Sequence, residues 1–275
     1  MPSRSSAGMS ASSPGSVPSA PASVVWNSVP ADSPDLLDRC WPATGLPQGV
    51  MGWTTTREVG SFGLGSDEPV GEVMARWSAL QDALARRGVS RLAAAHQVHG
   101  AAVSLHGDGW RGWLRERGVD GHVSVVPGTA LAVTIADCTP VLIGHPRGAV
   151  AALHAGWRGT AARILDVGLD LLESLGFPSQ ECEVYLGPAI CGACYEVGPE
   201  VLEAITGQPA SAKGQLDVRA VLAAQAAARG VVRVTSDAAC TRCDRTRFFS
   251  HRGGDAGRQL GIVAWRLLDP VSSAQ

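Results

Sequence analysis

The sequence predicts an α+β fold in which mixed β-sheets carry helices on their outer faces. Runs of strand-forming residues bounded by Gly, Pro or Asp recur along the chain and outnumber the helical patterns. Many neighbouring runs are joined by turns too short for a crossover helix, so part of the pairing is hairpin-like. Helical patterns with one apolar stripe interrupt the strands, as expected of elements lying on a sheet.

In chain order, GVMGWTTT (49–56) reads as a strand. PVGEVMARWSALQDALARRG (69–88) reads as a helix, with Val70, Val73, Met74, Trp77, Leu80 and Leu84 on one face. Strands are expected at 91–98, 101–106, 121–126, 130–137, 140–145 and 149–154. Several are apolar on both faces, which points to cover on both sides. GTAARILDVGLDLLESLG (159–176) reads as one helix with the stripe Ile164, Leu165, Leu171, Leu172 and Leu175 and a stop at Gly176. A strand at 182–189 precedes a helix over 216–230, with Asp217 as N-cap and Gly230 as stop. Strands at 231–236 and 261–268 complete the pattern.

The Ser-, Pro- and Ala-rich segment 1–24 lacks the apolar stretch of a signal peptide and reads as a disordered tail. Residues 25–275 contain no linker or internal repeat and read as a single domain. Apolar residues make up 45% of the chain, enough for a sizeable core. A formal net charge of −2 gives no ground for bulk binding to nucleic acid or an anionic membrane, and no apolar run reaches membrane-spanning length. The expected compartment is the cytoplasm, where seven cysteines are thiols or metal ligands rather than disulfides. No oligomeric state follows from the sequence. Lys213 is the only lysine, and the arginines include candidate anion ligands.

PVLIGH and AVAALH flank a short Pro146–Gly148 turn, so an antiparallel hairpin brings Cys138 within a couple of residues of His154. Opposed residues on adjacent strands have Cβ atoms about 4.5–5.5 Å apart, a gap that fits two ligands of one metal ion. A lone cysteine after a strand is also an ordinary core residue, and a lone histidine a hydrogen-bonded one. A third ligand comes from HQVHG, through His96 or His99. Two histidines and one cysteine with an open fourth position is the arrangement of a catalytic zinc. Beyond His154, Gly-Trp-Arg-Gly-Thr leads into a helix, and Arg158 beside a helix start forms an anion site or is simply solvated. Cys191-x-x-Cys194 and Cys240-x-x-Cys243 offer either a four-cysteine zinc site or reduced structural thiols, while Cys40 and Cys182 read as ordinary residues.

HQVHG, ADCTPVLI, HAGWRGT, GPAICGACYEVG and CTRCDRTRFFSHRGGDAGRQLGIV, in this order over residues 50–265, resemble the laccase-domain family. That family is also called polyphenol oxidase, peptidoglycan editing factor or purine nucleoside phosphorylase. The resemblance implies a sandwich of mixed β-sheets flanked by helices. It implies zinc ligands His99, Cys138 and His154, and so selects His99 over His96. It implies anion-binding arginines at Arg57, Arg158 and Arg252. The chain departs from the family pattern in three places. The loop after Arg57 is short, His251-Arg252-Gly253-Gly254-Asp255 lacks one arginine, and Cys191 is unusual within its motif.

Seven histidines with no His-x-His pair cannot build a trinuclear copper cluster, and no methionine lies near the site motifs. Copper oxidation is therefore disfavoured, and zinc is the expected cofactor. The resemblance implies phosphorolysis of adenosine, inosine or guanosine, with nucleoside and phosphate as partners, and adenosine deamination, for which Asp137 is the nearest candidate proton shuttle or else a turn residue or cap. A hydrolase that removes a wrong amino acid from a UDP-MurNAc cell-wall precursor is the alternative enzyme. A nucleoside sensor with a purely structural metal is the non-catalytic one.

Overall fold

The computed structural model describes residues 35–65 and 67–266. The expected tail lies outside them, as do residues 25–34 and 267–275 of the expected domain. In chain order the strands are β1 (Trp41–Pro42), β2 (Val50–Thr54), β3 (Arg91–His96), β4 (Val103–His106), β5 (Gly112–Arg117), β6 (Gly121–Ser124) and β7 (Thr129–Ile135). They continue as β8 (Thr139–His145), β9 (Ala149–Ala155), β10 (Glu183–Leu186), β11 (Glu196–Val197), β12 (Gly214–Gln215), β13 (Arg233–Ser236) and β14 (Gln259–Trp265). The helices are α1 (Val70–Ala85), α2 (Trp157–Ala161), α3 (Ile164–Ser174), α4 (Pro199–Thr206) and α5 (Val218–Ala228).

Two six-stranded sheets form, in the orders β1-β2-β14-β7-β3-β5 and β13-β10-β8-β9-β6-β4. Both are mixed. In the first, β3 runs parallel to β5 and β7 while β14 is antiparallel to β2 and β7. In the second, β10–β13 and β4–β6 are the parallel pairs. The sheets pack face to face through Leu131, Val133 and Ile135 of β7, Leu142 of β8, Val150 and Ala152 of β9 and Val263 of β14. Alternate residues point outward. Ala130 and Ala132 of β7 and Leu260, Ile262 and Ala264 of β14 meet α1. Val141, Ile143, Ala151 and Leu153 meet α3 and α5. This layering explains the absence of polar alternation in the central strands, since each is covered on both faces.

Two helices differ from the sequence expectation. In α1, Val73, Trp77, Leu80, Ala83 and Leu84 are buried, whereas Val70 and Met74 from the expected stripe are exposed. Trp77 fixes that face by stacking on Trp113 at 4.5 Å and meeting Phe62 edge-on at 5.4 Å. The helix expected over 159–176 is two, because Arg163 takes a left-handed φ of 60° between α2 and α3. Leu169 rather than Leu171 joins the buried face of α3. In α5 the Asp217 carboxylate accepts from Ala220 N–H at 3.1 Å and caps the helix as expected. Strand β5 and helix α4 are additional to the sequence reading.

Candidate metal centre

The β8–β9 hairpin turns at Pro146–Gly148 and pairs Thr139 with Ala155 and Pro140 with His154. This register sets Cys138, one residue before β8, opposite Gly156. His154 shares the inter-sheet face of β9 with Val150 and Ala152 and stands at the end of that layer. His99 arrives from the other sheet, in the turn after β3. The donor atoms of His99, Cys138 and His154 all lie within 4.8 Å of one another. A tetrahedral ion with ligands at about 2.0–2.3 Å separates them by about 3.3–3.8 Å, so one imidazole pair and one thiol fit a bound metal. His154 is buried and His99 exposed, which leaves the cluster open on one side.

Asp120 organises the two histidines. It is fully buried. Its carboxylate accepts from His154 Nδ1 at 2.8 Å and from the backbone N–H groups of Val98, His99 and Gly100 at 3.1, 2.9 and 2.8 Å. The first bond fixes the His154 tautomer that leaves Nε2 unprotonated toward the cluster. The other three hold His99 at a φ of 62°, a left-handed conformation that costs a non-glycine residue of order 1–3 kcal/mol. Burial opposes the charge on Asp120, but these bonds outweigh it and keep the carboxyl below its ordinary pKa. Nothing in the sequence singled out Asp120, because an Asp-Gly between strands reads as a turn.

The glycines of HAGWRG are explained by close approach. A Cβ on Gly156 would lie 2.9 Å from Cys138 Sγ and 3.6 Å from His99 Cδ2. One on Gly159 would lie 2.9 Å from the Gly100 carbonyl oxygen. Burial pushes the Cys138 thiol up, but the charges and hydrogen bonds of His154 and His99 bring it down to about 6. Burial pushes His154 down, while Cys138 and Asp120 raise it to about 9.

A cavity of about 620 Å³ opens against the three side chains. Phe62 and Leu64 from the short loop after Arg57 form part of its wall, and Arg115, His251 and Arg258 line it too. Arg115 of β5 has no hydrogen-bond or ion-pair partner among the described residues. The Arg258 guanidinium is tied to the carbonyls of Asp255, Ala256 and Gly257.

The expected anion ligands lie outside this lining. Arg57 donates to the Phe248 carbonyl at 2.9 Å, pairs with Asp255 at 2.5 Å and stacks on Phe249. Arg252 donates to the Glu196 carbonyl at 2.9 Å and lies over Tyr195. Arg158 is exposed on α2, with its guanidinium 4.3 Å over the Trp157 ring. The helix it opens is only five residues long, too short for a strong dipole. Asp137 also lies outside the lining. Its carboxylate accepts from Thr241 Oγ1 and from Arg252 N–H, both at 2.6 Å, so both oxygens are engaged in anchoring loops.

Residues 55–266 match the sequence model of the multi-copper polyphenol oxidoreductase laccase family. The chain belongs to this family. The laccase-family resemblance read from its motifs therefore holds. The chain is 37% identical to adenosine deaminase RL5 from an unknown prokaryotic organism over 168 residues, 56% of this chain and 62% of that protein. It thus spans less than two thirds of that relative's length. It is 35% identical to a purine nucleoside phosphorylase of Mycobacterium bovis over 228 residues, 76% of this chain and 90% of the relative. In three dimensions it resembles YlmD from Geobacillus stearothermophilus, with a TM-score of 0.76 and 28% identity over 85% of this chain and all of that one. The sandwich implied by the laccase-family resemblance is the fold observed. A single cluster combines histidine with cysteine among the described residues, and it holds two of the chain's seven histidines.

Proposed function

We propose that this chain is a zinc-dependent purine nucleoside phosphorylase acting on adenosine, inosine and guanosine, with adenosine deamination as a second activity of the same site. The observation that carries this reading is the open His99–Cys138–His154 cluster on the wall of a cavity of about 620 Å³. That volume falls within the roughly 300–1,000 Å³ of small-molecule sites. Relatives named for both activities support the choice of reaction. When bound, zinc supplies a Lewis acid with an open coordination position.

The chain's own residues supply position and charge. Asp120 holds His154 in one tautomer and His99 in one backbone conformation, so the site is organised before substrate arrives. Phosphorolysis joins a phosphate oxygen to C1′ of the ribose as the bond from C1′ to the purine breaks, and the base leaves with the proton that the attacking dihydrogen phosphate gives up. Arg115 lines the cavity without a side-chain partner among the described residues and is the proposed phosphate ligand, and His251 is the proposed second donor. Arg158, exposed and without a carboxylate partner among the described residues, stays in the proposal as an anion ligand. Arg57 and Arg252 position loops. Asp137, whose carboxylate accepts from Thr241 Oγ1 and Arg252 N–H, is given an anchoring role in this proposal rather than that of a proton shuttle. The proposed compartment is the cytoplasm; among the described residues no helix is long and apolar enough to cross a membrane.

The test is incubation of the purified protein with adenosine, with and without inorganic phosphate. Adenine and ribose 1-phosphate, formed only with phosphate, are the expected products, and inosine and ammonia mark the second activity. Loss of both in Cys138→Ser ties them to the cluster. Turnover confined to a muramoyl amino-acid precursor would replace this reading with the editing hydrolase.

A further inference from the structure

Four of the six cysteines outside the candidate centre are gathered in one place. The Sγ atoms of Cys191, Cys194, Cys240 and Cys243 lie within 4.8 Å of one another, and those of Cys194 and Cys243 are 3.4 Å apart. A zinc ion with four sulfurs at about 2.3 Å separates them by about 3.8 Å, so the cluster is close to the required tetrahedron. Each pair sits on a tight turn, closed by Cys194 N–H to the Cys191 carbonyl at 3.0 Å and Asp244 N–H to the Cys240 carbonyl at 2.9 Å.

The backbone is arranged for sulfur anions. Cys191 N–H donates to Cys240 Sγ at 3.2 Å. Bonds of this kind strengthen when the acceptor carries charge, and a thiolate is the form that binds metal. Four thiolates this close repel one another unless a cation stands between them.

We propose that these four cysteines form a second, structural metal site, a tetrathiolate zinc centre separate from the cluster at Cys138. Its place in the fold gives it a role. It joins the segment after β10 to the segment after β13, which also meet through the Ala189–Cys240 bridge and Thr241 N–H to the Ala189 carbonyl at 3.2 Å. The same two segments grip Asp137, through Ile190 N–H to its carbonyl at 3.0 Å and Thr241 Oγ1 to its carboxylate. Asp137 has a φ of 86° and immediately precedes Cys138. An ion bound by the four sulfurs stiffens the frame that presents Cys138.

The test is metal analysis of protein purified under reducing conditions without added metal. About two zinc ions per chain are expected in the wild type and about one in Cys138→Ser and in Cys243→Ser. A second measurement does not depend on the folding of Cys243→Ser. Cobalt loaded into Cys138→Ser should give the intense sulfur-to-metal absorption of a four-thiolate site, and a strong chelator should expose four slow thiols to a thiol reagent and lower the melting temperature. Neither readout depends on nucleoside turnover, so this proposal and the proposed activity fail separately. A metal-free Cys138→Ser protein, iron in place of zinc, thiols that react equally fast before and after chelation, or a Cys194–Cys243 disulfide in the reduced preparation would overturn it.

Discussion

The carboxylate of Asp120 accepts from one imidazole and three backbone N–H groups, so replacing it tests how far the candidate metal centre is preorganised. Asp120→Asn keeps the volume but removes the charge and sets a donor against groups that are themselves donors. Metal affinity is expected to fall about 10–100-fold, the usual effect of losing a partner of this kind, read by competition with a chromogenic chelator. An unchanged affinity would mean that His154 keeps its tautomer without help. Gly156→Ala tests the opposite effect, crowding. The added methyl, 2.9 Å from Cys138 Sγ, displaces the sulfur or the turn, and the variant is expected to lose metal while keeping most of its stability. At this scale the convergence of His99, Cys138 and His154 was legible, because residue chemistry and family motif coincided there. Asp120 was illegible because its role depends on meeting residues 98–100 and 154 in space. Arg115 was hidden in the same way, in a strand whose charged residues read as surface.

Strands β7, β8 and β9 were readable because each is apolar on both faces and bounded by turn residues. Strand β5, Gly-Trp-Leu-Arg-Glu-Arg, lies at a sheet edge, and its charges mask its period. The split between α2 and α3 was invisible because Ala162 and Arg163 are good helix formers, and the left-handed turn at Arg163 follows from packing rather than local preference. The β8–β9 hairpin carries the element-level prediction. Gly148 closes its turn at a φ of 94°, and a Cβ there would run into the Trp265 ring. Gly148→Ala is therefore expected to destabilise the protein by about 1–3 kcal/mol, combining backbone strain with overpacking, read from urea unfolding. Metal binding should weaken with it, since the hairpin register sets Cys138 opposite Gly156. A neutral effect would show that the turn relaxes without moving the strands.

Across the whole molecule, the double sandwich buries polar groups that the sequence presents only as isolated letters, and this sets its response to acid. His106 of β4 and His122 of β6 are buried side by side, with His106 Nε2 and His122 Nδ1 2.9 Å apart. His122 Nε2 has no hydrogen-bond partner among the described residues. Burial, together with the neighbouring His106, pushes His122 down to about 3, with Asp120 opposing; burial lowers His106 as well, with Glu116 opposing. Both folded-state values lie below the unfolded value of about 6.5, so the unfolded chain binds more protons at mildly acidic pH. The stabilisation is complete above about pH 6.5 and is lost as pH falls below it, continuing toward about 3 for His122, at up to about 1.4 kcal/mol per pH unit for each excess proton bound by the unfolded chain. Melting temperature should therefore drop between pH 7 and pH 5. His122→Asn keeps an amide where Nδ1 stood and cannot titrate, so its curve should be flatter than that of the wild type. Metal release at low pH affects both proteins alike, and the difference between the two curves isolates the histidine pair. Parallel curves would place the acid sensitivity elsewhere and leave the pair as packing alone.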